Sequence, residues 1–122
     1  MACILIAEDD LTSGAYLSSL LSELEHDVVA ASDGEEALQQ LRAAACDLAI
    51  VDVMMPKLNG FDVVRALRAD PKLKTMPVVL ITAMNREGDR SWALKQGADE
   101  YLIKPVSLED LRRVLEQHLP SG

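Results

Sequence analysis

Asp47-Leu48-Ala49-Ile50-Val51-Asp52 decides the fold: an unbroken apolar run between two carboxylates. A run this short and this apolar reads as a buried strand, and a strand that stops at an acid delivers that acid to one edge of a sheet. A second run, Cys3-Ile4-Leu5-Ile6-Ala7, ends in the same way at Glu8 and Asp9. If the two strands are parallel neighbours, three carboxylates converge at their C-terminal ends, where open α/β sheets take their ligands. Gathered carboxylates repel one another, so such a cluster needs a cation or a proton. An oxygen-only donor set suits Mg²⁺, which binds few carboxylates and keeps room for water and phosphate.

Outward from these two strands, strand-like and helix-like segments alternate. The helical period appears from about Thr12 to Glu25 in Tyr16, Leu17, Leu20, Leu21 and Leu24. A second strand spans Asp27 to Ala31, Asp33-Gly34 marks a turn, and a helix follows from Glu35 to Ala45. Pro56 and Gly60 bracket a loop ahead of a helix whose apolar stripe is Phe61, Val64 and Leu67, with Arg65 and Arg68 off the stripe and Pro71 at its end. The fourth strand is Pro77 to Thr82, and the next helix runs from Arg86 to Gln96, closed by Gly97. Glu100 to Ile103 is the fifth strand. Ser107-Leu-Glu-Asp110 resembles a capping box with Asp in place of Glu, and opens a last helix striped by Leu108, Leu111, Val114 and Leu115. Five βα units predict an α/β fold: a three-layer (βα)5 sandwich of the flavodoxin-like kind, with a parallel five-stranded sheet in the order 2-1-3-4-5.

Composition narrows the function. The 122 residues suffice for one domain with one core, and 49% hydrophobic content is ordinary for a globular chain. A formal net charge of −8 argues against direct binding to nucleic acid or to anionic membranes. Cys3 and Cys46 read as buried free thiols in a reducing, cytoplasmic setting rather than as a two-cysteine metal site, which would need His nearby. The Met1 start carries no basic stretch followed by a long apolar run, and no segment approaches the length of a membrane span.

Five polar positions fall where a strand meets its following loop: Glu8, Asp9, Asp52, Thr82 and Lys104. Together they make chemical sense. A carboxylate can attack phosphorus to give an acyl phosphate. A divalent cation on the acids neutralises the charge that develops, and a hydroxyl and an ammonium can hold the remaining phosphoryl oxygens.

With these residues in view, the whole chain resembles the receiver domain of bacterial two-component response regulators. The carriers are Ile4-Leu-Ile-Ala-Glu8-Asp9-Asp10, Asp33-Gly34-Glu-Glu-Ala-Leu, Asp52-Val-Met-Met-Pro56-Lys-Leu-Asn-Gly60, Ile81-Thr82-Ala83 and Gly97-Ala-Asp-Glu-Tyr101-Leu-Ile-Lys104-Pro105. The segment Asp89 to Ala98 is similar to single-domain receivers of pilus-driven or chemotaxis-like motility systems. The resemblance implies one receiver domain over residues 1–122, in which Asp52 accepts phosphate from a histidine kinase or a histidine phosphotransfer protein. It further implies that Asp9, Asp52 and the Met54 backbone carbonyl ligate Mg²⁺, Glu8 through water. Thr82 hydrogen-bonds the phosphoryl group and Lys104 pairs with it. Tyr101 is the aromatic switch that turns inward as Thr82 moves, and the helix 4–strand 5–helix 5 face controls a downstream protein target. The Lys104-Pro105 bond is a candidate for cis geometry. Such a chain is a phosphorelay switch rather than an enzyme, limited to self-phosphotransfer and slow self-dephosphorylation. Met54 and Met84 stand where family members carry side chains that influence phosphate hydrolysis. A thioether orients attacking water poorly, so slow hydrolysis is expected.

Alternatives differ at identifiable residues. A receiver fragment of a larger regulator would look the same over this span, although the start at Met1 favours a stand-alone form. A phosphohydrolase of the haloacid-dehalogenase type carries a second Asp two positions after the nucleophile, where this chain has Met54. A flavin-binding protein must cradle phosphate in its first loop, and Glu8-Asp9-Asp10 repels it. Asp10 is read as a helix cap or a solvated charge, His26 and His118 as surface or capping groups, and Trp92 as a packing or partner residue.

Overall fold

The computed structural model of the chain describes residues 2–83 and 88–119. The elements are β1 (Cys3–Ala7), α1 (Leu11–Glu23), β2 (Asp27–Ala31), α2 (Gly34–Ala43), β3 (Leu48–Asp52), α3 (Gly60–Ala69), β4 (Val78–Thr82), α4 (Asp89–Lys95), β5 (Glu100–Ile103) and α5 (Leu108–His118). All neighbouring strands are parallel, in the order β2-β1-β3-β4-β5. That is the flavodoxin-like arrangement expected from the alternation of strands and helices.

Strand alternation divides the core into two layers. Ile4, Ile6, Leu48, Ile50, Val79 and Ile81 face α1 and α5, against Leu17, Leu21, Leu111 and Val114. Leu5, Ala7, Ala49, Val51, Val78 and Leu80 face α2, α3 and α4, against Leu38, Leu41, Val64, Leu67 and Ala93. Successive residues of one strand point to opposite faces, so a continuous apolar run serves both layers at once. The central strands β3 and β4 are buried along their whole lengths. The α3 stripe differs from the expectation: Val63 is fully buried while Phe61 is only partly so.

Caps fix the helix ends that periodicity left one or two residues adrift. Asp10 accepts from the Ser13 N–H (3.3 Å) and Ser13 hydroxyl (2.8 Å), so α1 begins at Leu11 rather than Thr12. It ends at Glu23, before Glu25 enters the left-handed region at φ 67. Asp33 accepts from the Glu36 N–H at 2.8 Å and brings the start of α2 forward to Gly34. The reciprocal capping box lies at Asn59 and Asp62, where sequence reading did not place one. At α5, Ser107 accepts from the Asp110 N–H at 3.0 Å. The α4 helix is described only from Asp89, after Gly88 at φ 89, and the expected start at Arg86, together with Met84, lies outside the described residues. Gly97, at φ 111, takes the left-handed position after that helix, as expected.

Two glycines make opposite demands. A Cβ on Gly60, the first residue of α3, would lie 2.7 Å from the Asp52 carbonyl oxygen and 2.9 Å from Val53 Cα. A Cβ on Gly14, inside α1, would meet Glu8 Cγ at an ordinary 3.8 Å. Gly60→Ala should therefore lower stability by about 1–3 kcal/mol through overpacking. Gly14→Ala should raise it by about 0.5–1 kcal/mol through lost chain entropy in the unfolded state. Urea midpoints of both variants, compared with the parent chain, check the opposite signs.

Candidate functional site

The register of the central strands assembles the acids. Ala7 pairs with Val51 across β1 and β3, so the next residues, Glu8 and Asp52, emerge side by side. Glu8, Asp9 and Asp52 each offer a carboxylate oxygen within 4.8 Å of the others. Glu8 and Asp52 are buried, and Asp9 is exposed at the mouth. Lys104 follows β5, its backbone N–H donating to the Thr82 carbonyl at 2.8 Å. Its side chain reaches across β4, and its Nζ donates both to Glu8 Oε1 and to Asp52 Oδ2. The Lys104–Pro105 peptide bond is cis.

Each buried charge has a partner. Asp52 Oδ1 accepts from the Met54 N–H at 2.9 Å, and Glu8 Oε2 accepts from the Asp10 N–H at 3.3 Å. Burial, and then the neighbouring Asp52, push the Glu8 carboxyl up to about 7 against the pull of Lys104. Burial alone lowers the Lys104 pKa, but its bonds to Asp52 and Glu8 outweigh that and raise it on balance, so the ammonium stays charged. Asp10 belongs to the helix rather than to the cluster: the Ser13 hydroxyl it accepts from holds its carboxyl below the ordinary range.

Beside the acids, a cavity of about 210 Å³ is lined by Met54, Thr82, Trp92 and Tyr101, among others. Thr82 ends β4 and is wholly buried. Tyr101 is 6% exposed and already occupies an inward position. Met54 (59% exposed) and Trp92 (53% exposed) form the outer rim, with Trp92 set edge-on to Phe61 at 6.4 Å between ring centroids. One set of contacts was not anticipated. Arg90 of α4 donates to Glu100 Oε1 (2.7 Å) and to the Tyr101 carbonyl (3.2 Å), and His118 Nε2 stands 3.9 Å from Glu100 Oε2. Glu100, an acid on the buried face of a strand, was the available signal for a basic partner. His26 caps no helix: its Nδ1 accepts from the Ala2 N–H at 3.1 Å, a contact 24 positions away in sequence.

Six of the seven residues expected to form a site, Glu8, Asp9, Asp52, Met54, Thr82 and Lys104, are thus at or just beyond the C-terminal edge of the sheet, while Tyr101 lies inside β5, paired with Leu80, and lines the cavity beside Thr82. No described helix is long and apolar enough to cross a membrane.

Comparison with known proteins agrees with this geometry. The family model of the response regulator receiver domain matches residues 4–116. Protein PilH of Pseudomonas aeruginosa is 36% identical over 115 residues, covering 94% of this chain and 95% of PilH. The chain spans only 41% to 46% of the length of the curated transcriptional regulators it also matches. Chemotaxis protein CheY4 of Vibrio cholerae superposes with a TM-score of 0.89 at 31% identity, covering 98% of this chain and 99% of that one. The receiver domain of sensor histidine kinase PA1611 from Pseudomonas aeruginosa, with a magnesium ion coordinated in its active site cleft, gives 0.90 at 28% identity and covers 98% of each chain. On the match across its length and the likeness to PilH and CheY4, the chain belongs to the response regulator receiver domains of two-component signalling, and to their chemotaxis-type kind.

Proposed function

We propose that the chain is a phosphorylation switch whose acceptor is Asp52, and that residues 1–122 act as one receiver unit. The observation that carries this reading is the bridging of Glu8 and Asp52 by Lys104, with Asp9 within reach of both. A nucleophilic carboxylate, an acidic cation seat and a fixed ammonium meet at one point, brought there from three strands.

The donor set fits Mg²⁺: three carboxylates, oxygen donors throughout, with one acid open to solvent. Asp9 and Asp52 would hold the ion directly, Glu8 would hold it through water, and the Met54 carbonyl would complete the protein's share. Bound there, such an ion would supply neutralisation of the charge on the transferring phosphoryl group. The Asp52 carboxylate attacks the phosphorus of a phosphohistidine. The new O–P bond forms as the P–N bond breaks, and the imidazole nitrogen keeps the electron pair. The Met54 N–H orients Asp52 before attack. Lys104 pairs with the phosphoryl oxygens and the Thr82 hydroxyl donates to one of them. The donor is a histidine kinase or a histidine phosphotransfer protein.

Phosphorylation then favours one of two arrangements of the α4–β5–α5 face, which engages a downstream protein. The Arg90 contacts to Glu100 and to the Tyr101 carbonyl link α4 to β5, so movement at Thr82 and Tyr101 reaches that surface through packed groups. The chain turns over no external substrate, and its acidity disfavours direct nucleic acid contact.

Incubation with acetyl phosphate and Mg²⁺ should add one phosphate to the chain by intact mass and none to Asp52→Asn; an adduct surviving in that variant refutes the assignment. Met54→Asn combined with Met84→Glu should shorten the phosphate lifetime several-fold, because both new side chains can hydrogen-bond attacking water. Equal decay rates would remove the role given to the methionines. A third outcome concerns Glu8, whose folded pKa of about 7 lies above its ordinary 4.5. The folded chain then holds the extra proton between these values, so the stability this group contributes is complete below the lower one and is lost as pH rises through the upper. Without divalent cations, unfolding stability should fall between pH 5 and pH 8 by on the order of 1–3 kcal/mol more in the parent than in Glu8→Gln. Urea titrations at both pH values read the difference.

A further inference from the structure

The two cysteines lie far from the acid cluster and take no part in its chemistry. They are 43 positions apart in sequence, yet their Sγ atoms are 3.3 Å apart. Cys3 opens β1, and Cys46 stands in the turn between α2 and β3. The backbone holds them in place: the Asp47 N–H donates to the Cys3 carbonyl at 2.8 Å, and the Cys3 N–H donates to Asp47 Oδ2 at 2.8 Å. Both thiols are free, and both are half-buried rather than buried, so a small solute can reach them.

A dithiol can take a soft metal or an oxidant. A closed metal site needs three or four ligands. Among the described residues, the one group of three metal-ligating side chains is the acid cluster, and neither cysteine belongs to it. The sulfurs are already in contact and need only close to the bonding distance of about 2.05 Å, a movement of roughly 1.3 Å.

We propose that Cys3 and Cys46 are an oxidisable pair that forms an internal disulfide on exposure to a small-molecule disulfide, latching the start of β1 to the α2–β3 turn. In the first step one cysteine, as thiolate, attacks the small disulfide; a mixed disulfide forms, and one small thiolate leaves and takes up a proton. In the second step the other cysteine loses its proton and attacks the protein sulfur, and the second small thiol leaves. Two protein S–H bonds are replaced by one S–S bond, and the small disulfide is reduced to two thiols. Burial first, then the hydrogen bond with Cys3, push the Cys46 thiol up to about 12. Held in contact, Cys46 gains in effective concentration what it lacks in thiolate fraction. The latch closes a long loop containing β1, α1, β2 and α2, so it restricts the unfolded chain while leaving Glu8 and Asp52, at the opposite ends of β1 and β3, untouched.

The test is incubation of the full chain with oxidised glutathione, followed by intact mass under denaturing conditions without reductant. The expected product is a monomer lighter by two hydrogens, with no thiol left to alkylate and a melting midpoint raised by about 5–15 °C. Addition of dithiothreitol should reverse both changes. Cys3→Ser and Cys46→Ser should each show neither the mass loss nor the shift in midpoint. A product that stops at a glutathione adduct, a disulfide between two chains, or unchanged thiols overturns the proposal, and the mass of the unsubstituted chain decides it even if a variant fails to fold.

Discussion

Two carboxylates are buried next to each other at the end of the central strands, and Lys104 makes that arrangement tolerable. Glu8 and Asp52 lie at the meeting of β1 and β3, where the packing of both core layers excludes water. Unpaired, two anions at that depth would cost several kcal/mol each in lost hydration. The ammonium of Lys104 bonds to both, and the amide groups of Asp10 and Met54 take one further oxygen on each acid. Even so, the compensation is incomplete, since the pKa of Glu8 is still displaced upward to about 7. One cation serving two anions leaves a net negative charge, and that residue of charge is what a divalent ion can exploit.

The sheet is the frame that makes this possible. Three of the contributing chain segments leave the strands β1, β3 and β5, which are not consecutive in the sequence. Their tips share one edge because parallel pairing with right-handed crossovers sends every strand in the same direction. The close approach of Gly60 to the Asp52 carbonyl holds the exit of β3 against α3, and the Gly60 N–H donates to the Val53 carbonyl at 3.0 Å. The backbone around the acceptor is thereby clamped on both sides, by the sheet and by the start of a helix.

Much of this was legible in the sequence because strands buried on both faces must be apolar along their whole length. The bounds of β1, β2 and β5 coincide with those read from the order of apolar and polar residues alone. The site residues were legible for a related reason: a polar group directly after such a run has only the sheet edge to occupy. Helix ends were less legible, since they depend on whether Asp10 or Asp33 turns back to cap, a choice made by side-chain rotation. The convergence of the acids was legible, but individual long-range bonds were not. Nothing in the local pattern says that Lys104 bonds two acids at once, that Arg90 meets Glu100, or that Cys3 and Cys46 touch. Those contacts follow from register and crossover geometry, which the chain settles only when it folds.

The two ends of the sheet therefore carry different kinds of constraint. At the C-terminal edge the packing is deliberately imperfect in electrostatic terms, and a cavity beside Thr82 and Tyr101 leaves room for movement. The Lys104 pair with the acids is buried at both carboxylates and costly to break, whereas the Arg90 pair with Glu100, at the start of β5, is open to water on the Arg90 side and can exchange partners at modest cost. At the N-terminal edge the chain is tied by backbone and side-chain bonds around Cys3, Asp47 and His26. A domain that must change one surface without losing its fold needs this division, because a core packed to solid density cannot deform gradually. Motion has to be confined to elements such as α4, which is held to the sheet by one buried residue, Ala93, and a few polar contacts, while the strands that hold the acids stay in register.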